Sequence, residues 1–443
     1  MMFDTDSRLV GMCIDAAAEN GGSVESWRRQ RRSLERMPTQ LAQSLFHRLL
    51  HRRLLFPSLL EVFKHSVEEI NLRGESSVDA EWMAYLGAFR YLRVLTLADC
   101  QKINNSALWP ITGMTCLKEI DLGRCIKIND AGIRHLLSIR FLEKLCISET
   151  GVTADGVKLL ASLTDLSTLD LGGLPVTDSA LSSLQVLKKL EYLDLWGSEV
   201  SNKGASLFSS FPRLTFLNLA WTRVTEVPVI SSLESLNMSN CTISSIFEGE
   251  GYKPPLSNLI LSGTLLNDVA GAFLHVETGD LSLLDLSDST IQSLCLLPGM
   301  KKLSHLDLSG TLIGDEEIMN ITSIGATLKY LNLSKTRVSS SGVEMLAGHV
   351  PNLETILLSG TSIDDTAIAY MSLMPSLKSI NLSVTNVKGK FNFLLPPLLL
   401  SFIYGGMLMY CYTAAVKDYS WCMFRYVLYV QYIAFALFCL MGS

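Results

Sequence analysis

LSHLDLSGTLIGDEEI, Leu303 to Ile318, has the spacing Leu-x-x-Leu-x-Leu-x-x-Thr, and that spacing recurs from Val67 almost to the C-terminus. The copies start at Val67, Leu92, Leu117, Leu142, Leu166, Leu190, Leu214, Leu233, Leu256, Leu281, Leu303, Leu328, Leu353 and Leu377, mostly 24 or 25 residues apart. In the central x-Leu-x-Leu-x, successive side chains alternate as on a short strand, so the two leucines point inward and their neighbours outward. Beyond the strand, INDAGIRHLL (Ile128 to Leu137) and VSSSGVEMLA (Val338 to Ala347) switch to helical spacing behind an Asn or Ser suited to cap the first turn.

LRVLTLADC at Leu92, LKEIDLGRC at Leu117, LEYLDLWGS at Leu190, LKYLNLSKT at Leu328 and LETILLSGT at Leu353 carry a close resemblance to leucine-rich repeats, whose period range includes 24 and 25. The resemblance implies an α/β solenoid, a horseshoe with a parallel concave sheet and a helical convex side. No single copy can bury its leucines alone, so the array folds because neighbours cover one another. Fourteen strands about 4.8 Å apart make a sheet on the order of 60 Å long, large enough to grip a protein partner.

With 443 residues, 48% of them hydrophobic and 18% charged, one elongated solenoid accommodates the chain. A net charge of −6 argues against nucleic acid as the main partner, because phosphate binding needs a basic face. Cys100, Cys125 and Cys241 recur at the repeat position where other copies carry Thr150, Thr264, Thr311, Thr336 and Thr361, which reads as a ladder of small residues rather than a disulfide framework. MMFDTDSRLV has no apolar run, so the expected setting is a reducing cytoplasmic or nuclear one.

Taken in order, residues 1–33 are polar and without clear period, and are expected to be disordered, with WRRQRR (Trp27 to Arg32) as a basic cluster. Residues 34–66 have helical spacing and form a cap over the first repeat. There Met37-Pro38-x-x-Leu41-x-x-x-Leu45-Phe46-x-x-Leu49-Leu50 resembles the opening of an F-box or of the related elongin-binding box. That resemblance implies that Leu41, Leu45, Phe46 and Leu49 dock a Skp-type or elongin-type adaptor of a cullin ubiquitin ligase; the Trp that closes many such boxes has no counterpart before Val67. Two readings of the segment stand: a cap alone, or a cap that also holds an adaptor. The early LTLADCQKIN and IDLGRCIKIND copies resemble the cysteine-containing subtype common among ligase substrate receptors, and the later LSGT and LSKT copies resemble intracellular leucine-rich-repeat proteins of plants.

The repeats occupy residues 67–389, the last copy being incomplete. The copy at Leu214 is only 19 residues long and carries Pro228, which predicts an extended or 3₁₀ back, and the next copy carries the irregular tail FEGEGYKPP (Phe247 to Pro255), expected to kink the array and protrude. Residues 390–443 form a hydrophobic tail, uncharged from Phe391 to Val416. Two accounts stand for it as well: a membrane anchor through 391–416, or translated intron, since Gly389-Lys390-Phe391 can be encoded by a consensus splice donor.

On the outward strand positions Tyr192 and Phe216 are lateral neighbours, and Trp196 and Trp221 emerge at the other end of the same strands. Large aromatics of this kind enrich interface hot spots; the competing reading is a self-covering cross-strand pair. The slot between the inward leucines carries Asp121, Asp170, Asp194, Asp285 and Asp307 with Asn residues interleaved. This stripe, with Asp170 and Asp194 beside the aromatics, either attracts a basic partner segment or only solvates the sheet; as an outward residue Asp194 is expected to tolerate Asp194→Ala with little change in stability. No nucleophile, metal-ligand or phosphate-loop pattern is present, so the expectation is a binding protein without catalytic residues, metal or cofactor. Functionally the sequence points to a protein-recognition scaffold, in its sharper form a ligase substrate receptor; the rival is a membrane-anchored recognition protein.

Overall fold

The repeat pattern folds as its period requires. The computed structural model describes residues 8–29, 37–248, 254–266, 273, 276 and 278–388, and the backbone at 400–404 and 407–411. The chain divides into two compact units, Met1–Ile313 and Gly314–Ser443. In the first, eleven three-residue strands run in parallel from Glu69–Asn71 to His305–Asp307, each in register with the next. Ile70, Leu95, Ile120, Leu145, Leu169 and Leu193, the central residues of the first six, are buried, while their flanks, Asp194 apart, are half-buried or exposed. In the second unit Tyr330–Asn332, Thr355–Leu357 and Ser379–Asn381 repeat the arrangement.

The backs of most repeats are short helices capped as the sequence predicts. Asn129 accepts from the Ala131 N–H at 3.0 Å, and the Ser339 hydroxyl from the Ser341 N–H at 3.2 Å. The eighth residue of every repeat turns the chain off the strand with positive φ, from Gly74 at +72° to Val384 at +57°. The ninth is the Cys/Thr slot. Thr264, Thr311, Thr336 and Thr361 donate to the carbonyl of their own repeat's sixth residue at 2.6 Å. The Cys100, Cys125 and Cys241 thiols instead reach the preceding repeat's carbonyl at 3.1–3.2 Å, and each described cysteine is free.

The short repeat has an extended back, as expected from Pro228: Glu226–Pro228 pairs in parallel with Ser245–Glu248, and Thr242–Ile243 with Leu265–Leu266. Most of the FEGEGYKPP tail, residues 249–253, lies outside the described residues.

Two expectations are corrected. The segment before residue 34 is folded over most of its length, as helices α1 (Arg8–Ala17) and α2 (Gly21–Arg28) ahead of α3 (Thr39–His51). Long-range contacts hold it: Arg52 pairs with Asp15 at 2.8 Å and donates to the Ala18 carbonyl, and Trp27 Nε1 donates to the Ala17 carbonyl at 2.8 Å. The basic cluster is partly used here, with Arg28 over the Phe56 ring at 5.2 Å and bonded to Ser58; residues 30–36 lie outside the described residues. Past the 389 boundary, the backbone of Leu400–Tyr404 lies parallel to Ser379–Asn381, with Ser401 opposite Ser379, and Met407–Cys411 returns antiparallel to it. Sheet therefore extends into the segment expected to leave the solenoid. Among the described residues no helix is long and apolar enough to cross a membrane, and most of the run 391–416 falls outside them.

Candidate partner-binding surface

Strands Tyr192–Asp194 and Phe216–Asn218 pair in parallel with Tyr192 opposite Phe216. Strand spacing brings the two rings together, and they stack with centroids 4.2 Å apart and planes inclined by 3°. Each is half-buried. The pair therefore covers itself, yet still offers a flat aromatic platform on the outward face.

The Tyr192 phenol is pushed up to about 12 by burial, with Asp194 and Asp170 adding to the effect. The folded protein keeps this phenol neutral, whereas an unfolded tyrosine ionises near ~10. Its contribution to stability is present below pH ~10 and is lost as pH rises through the folded value. The difference in absorbance at 295 nm between wild type and Tyr192→Phe should show the Tyr192 step near 12; a step at the ordinary tyrosine value would contradict the burial of the phenol.

Trp196 and Trp221 leave the strands at different repeat positions, seventh and eighth. Trp196 is half-buried and lies across the preceding repeat's Gly172 and Gly173: a Cβ on Gly172 would fall 2.1 Å from Trp196 Nε1. Trp221 is 65% exposed and has φ of +60°, where Gly173 and Gly197 stand in the two preceding repeats.

The acidic stripe is spent on the backbone. Asp170 Oδ1 accepts from the Gly172 N–H and Asp194 Oδ1 from the Trp196 N–H, each at 3.0 Å, and Asp121, Asn218, Asn237, Asp285 and Asp307 repeat this turn at the ends of their strands. The second oxygen is also engaged. Asp170 Oδ2 accepts from Cys146 and Ser148, and Asp194 Oδ2 from the Asn218 amide at 2.9 Å. Asp194 is 8% exposed; burial pushes its carboxyl above the usual range, the Trp196 and Asn218 bonds oppose this, and Asp170 adds to it. Asp194→Ala would strand two donors, so we expect a loss of about 1–3 kcal/mol in urea unfolding, which corrects the small change expected of an outward residue. A loss below about 0.5 kcal/mol, the range of a neutral surface change, would restore that expectation.

The proposed adaptor residues are placed differently. Leu45, Phe46 and Leu49 are 5%, 0% and 0% exposed, and Leu41 is half-buried. Phe46 meets Phe63 edge-on at 5.4 Å. These side chains form the core of the cap, which corrects their assignment as an outward docking face: the stripe that would meet an adaptor meets the protein itself. What α1 leaves in solvent is Leu9 and Met12, 70% and 61% exposed, which the sequence reading did not single out.

A family model described as "Leucine Rich repeat" matches residues 326–347, most of one copy. No curated protein matches the chain. Similar solved structures include an internalin from Listeria monocytogenes (18% identity, 68% of this chain and 88% of that one, TM-score 0.48). The leucine-rich repeat domain of APL1 is similar at 20% identity (68% and 76% covered, TM-score 0.47), as is the yeast Rad7 and Elc1 complex at 19% (89% and 98% covered, TM-score 0.48). These TM-scores lie below 0.5, and none of the likenesses bears on function. Buried leucines at one spacing, strands in register at that spacing, a left-handed turn at the eighth position of every copy and the matched unit at 326–347 give this chain the fold of a leucine-rich-repeat solenoid.

Proposed function

We propose that the protein is a non-catalytic recognition scaffold that binds a protein partner across the Tyr192–Phe216 platform, Trp196 and Trp221. Trp221 carries the proposal. A left-handed backbone costs a side-chain-bearing residue about 1–2 kcal/mol; the two repeats just before use glycine there, the other repeats with a side chain at this position carry Asp, Arg, Glu, Asn, Lys or Val rather than an aromatic, and the Trp221 ring is mostly in water. A strained, exposed tryptophan beside a stacked pair is what a partner-filled surface supports. The setting that goes with this reading is an intracellular, reducing one, in keeping with free thiols along the repeat.

The finer reading, a cullin-ligase substrate receptor, draws on the folded cap ahead of the first repeat. Its adaptor would sit on the exposed face of α1, at Leu9 and Met12, and not on Leu45, Phe46 and Leu49. Affinity capture with the full chain tests both. Partners retained by wild type and lost by Trp196→Ala/Trp221→Ala support the scaffold; identical partner sets from the two proteins refute it. Retention of a purified Skp-type or elongin-type adaptor that is lost on changing Leu9 and Met12 to Asp supports the ligase form, and no retention removes it.

A further inference from the structure

The opposite ends of the strands carry a second surface, independent of the aromatic platform. One residue ahead of the first leucine, three successive repeats carry Tyr91, Cys116 and Phe141, all exposed, the two rings by 55% and 64%. Strand register aligns them, because Val94, Glu119 and Lys144 lie side by side three residues later. The rings therefore stand two strands apart, about 10 Å. Between them is an open depression of about 430 Å³, lined also by Cys116, Glu68, Arg93 and Lys118. A ring inserted between Tyr91 and Phe141 would lie about 5 Å from each, within the range that aromatic pairs favour.

The charged groups of the lining are mixed, Arg93 and Lys118 beside Glu68. Arg93 is exposed and forms no ion pair among the described residues, and the same holds for Arg90 and Arg140, which precede the two rings in sequence. Lys118 is held by Glu143. Wide aromatic walls and uncompensated guanidinium groups are complementary to carboxylates flanking an aromatic side chain.

We propose that this slot docks a short acidic segment of another protein, with one aromatic side chain inserted between Tyr91 and Phe141 and its neighbouring carboxylates on Arg93 and the flanking arginines.

The full chain is titrated with fluorescein-labelled Glu-Asp-Phe-Asp-Glu, with the same peptide bearing Lys in place of each acid, and with oligothymidylate. Alkylation of Cys116 is followed by mass spectrometry, and the exposed Cys13 and Cys295 serve as controls. The acidic peptide should bind, weaken with salt, and slow alkylation of Cys116 without slowing Cys13 or Cys295. Arg93→Glu and Phe141→Ala, both on exposed side chains, should each weaken it roughly tenfold or more, while Met319→Ala, exposed and outside both surfaces, leaves it unchanged. The proposal is overturned if the lysine peptide binds equally, if oligothymidylate binds more tightly, or if both variants bind like wild type with circular dichroism unchanged.

Discussion

Leu195→Ala and Leu308→Ala should each destabilise the protein by about 2–5 kcal/mol, the cost of a cavity at a site that cannot collapse. Both leucines are 0% exposed and hold the sixth position of their repeats, beneath the turn that closes the strand. In a solenoid each repeat touches only its neighbours, so no distant side chain can move in to fill the space. Lys144→Ala makes the contrast. Lys144 points outward and pairs with Glu119 at 2.9 Å with half its side chain in water, and such a surface pair contributes about 0–1 kcal/mol. Urea unfolding followed by circular dichroism and by tryptophan fluorescence measures all three. Equal losses at Leu195 and Lys144 would contradict the assigned inward and outward faces.

At Trp221, stability and binding should move independently. Trp221→Gly relieves a left-handed backbone costing about 1–2 kcal/mol but adds unfolded-chain entropy of about 0.5–1 kcal/mol. Stability should therefore hold or rise slightly. If the ring is a hot spot, partner affinity should fall by about 2 kcal/mol or more, roughly thirtyfold. Trp196→Ala should weaken binding similarly; it also exposes Gly172 and Gly173, so a small stability loss accompanies it. Calorimetric titration of the captured partner against the single variants and the double variant reads the effect. A Trp221→Gly protein that binds normally removes Trp221 from the interface, and one that unfolds early shows that the ring serves the fold instead.

The aromatic platform was partly legible in the sequence. The repeat register puts Tyr192 and Phe216 on adjacent strands, and their stack follows from strand spacing alone. That Trp196 crosses the preceding repeat was not legible from its own copy; the signal lies at Gly172 and Gly173, where missing side chains make room. Tyr91 and Phe141 were open to the same reading, as apolar residues one place ahead of the first leucine, where later repeats carry Asp165, Lys189 and Arg213.

The sequence by itself determined the solenoid, its inward leucines, the Cys/Thr slot and the helix caps at Asn129 and Ser339. Each of these depends on contacts within one copy or with its immediate neighbour, and periodicity encodes both. Only the tertiary structure decided what the remaining apolar and polar side chains meet. Leu45, Phe46 and Leu49 show an apolar stripe whether it faces an adaptor or Phe63, and the folding of α1 depends on Asp15 meeting Arg52, 37 residues away. Asp170 and Asp194 have the same acceptor oxygens in water as beneath a turn; their commitment to the Gly172 and Trp196 N–H groups is set by how the chain bends at the strand end, a conformation that residue type alone does not reveal.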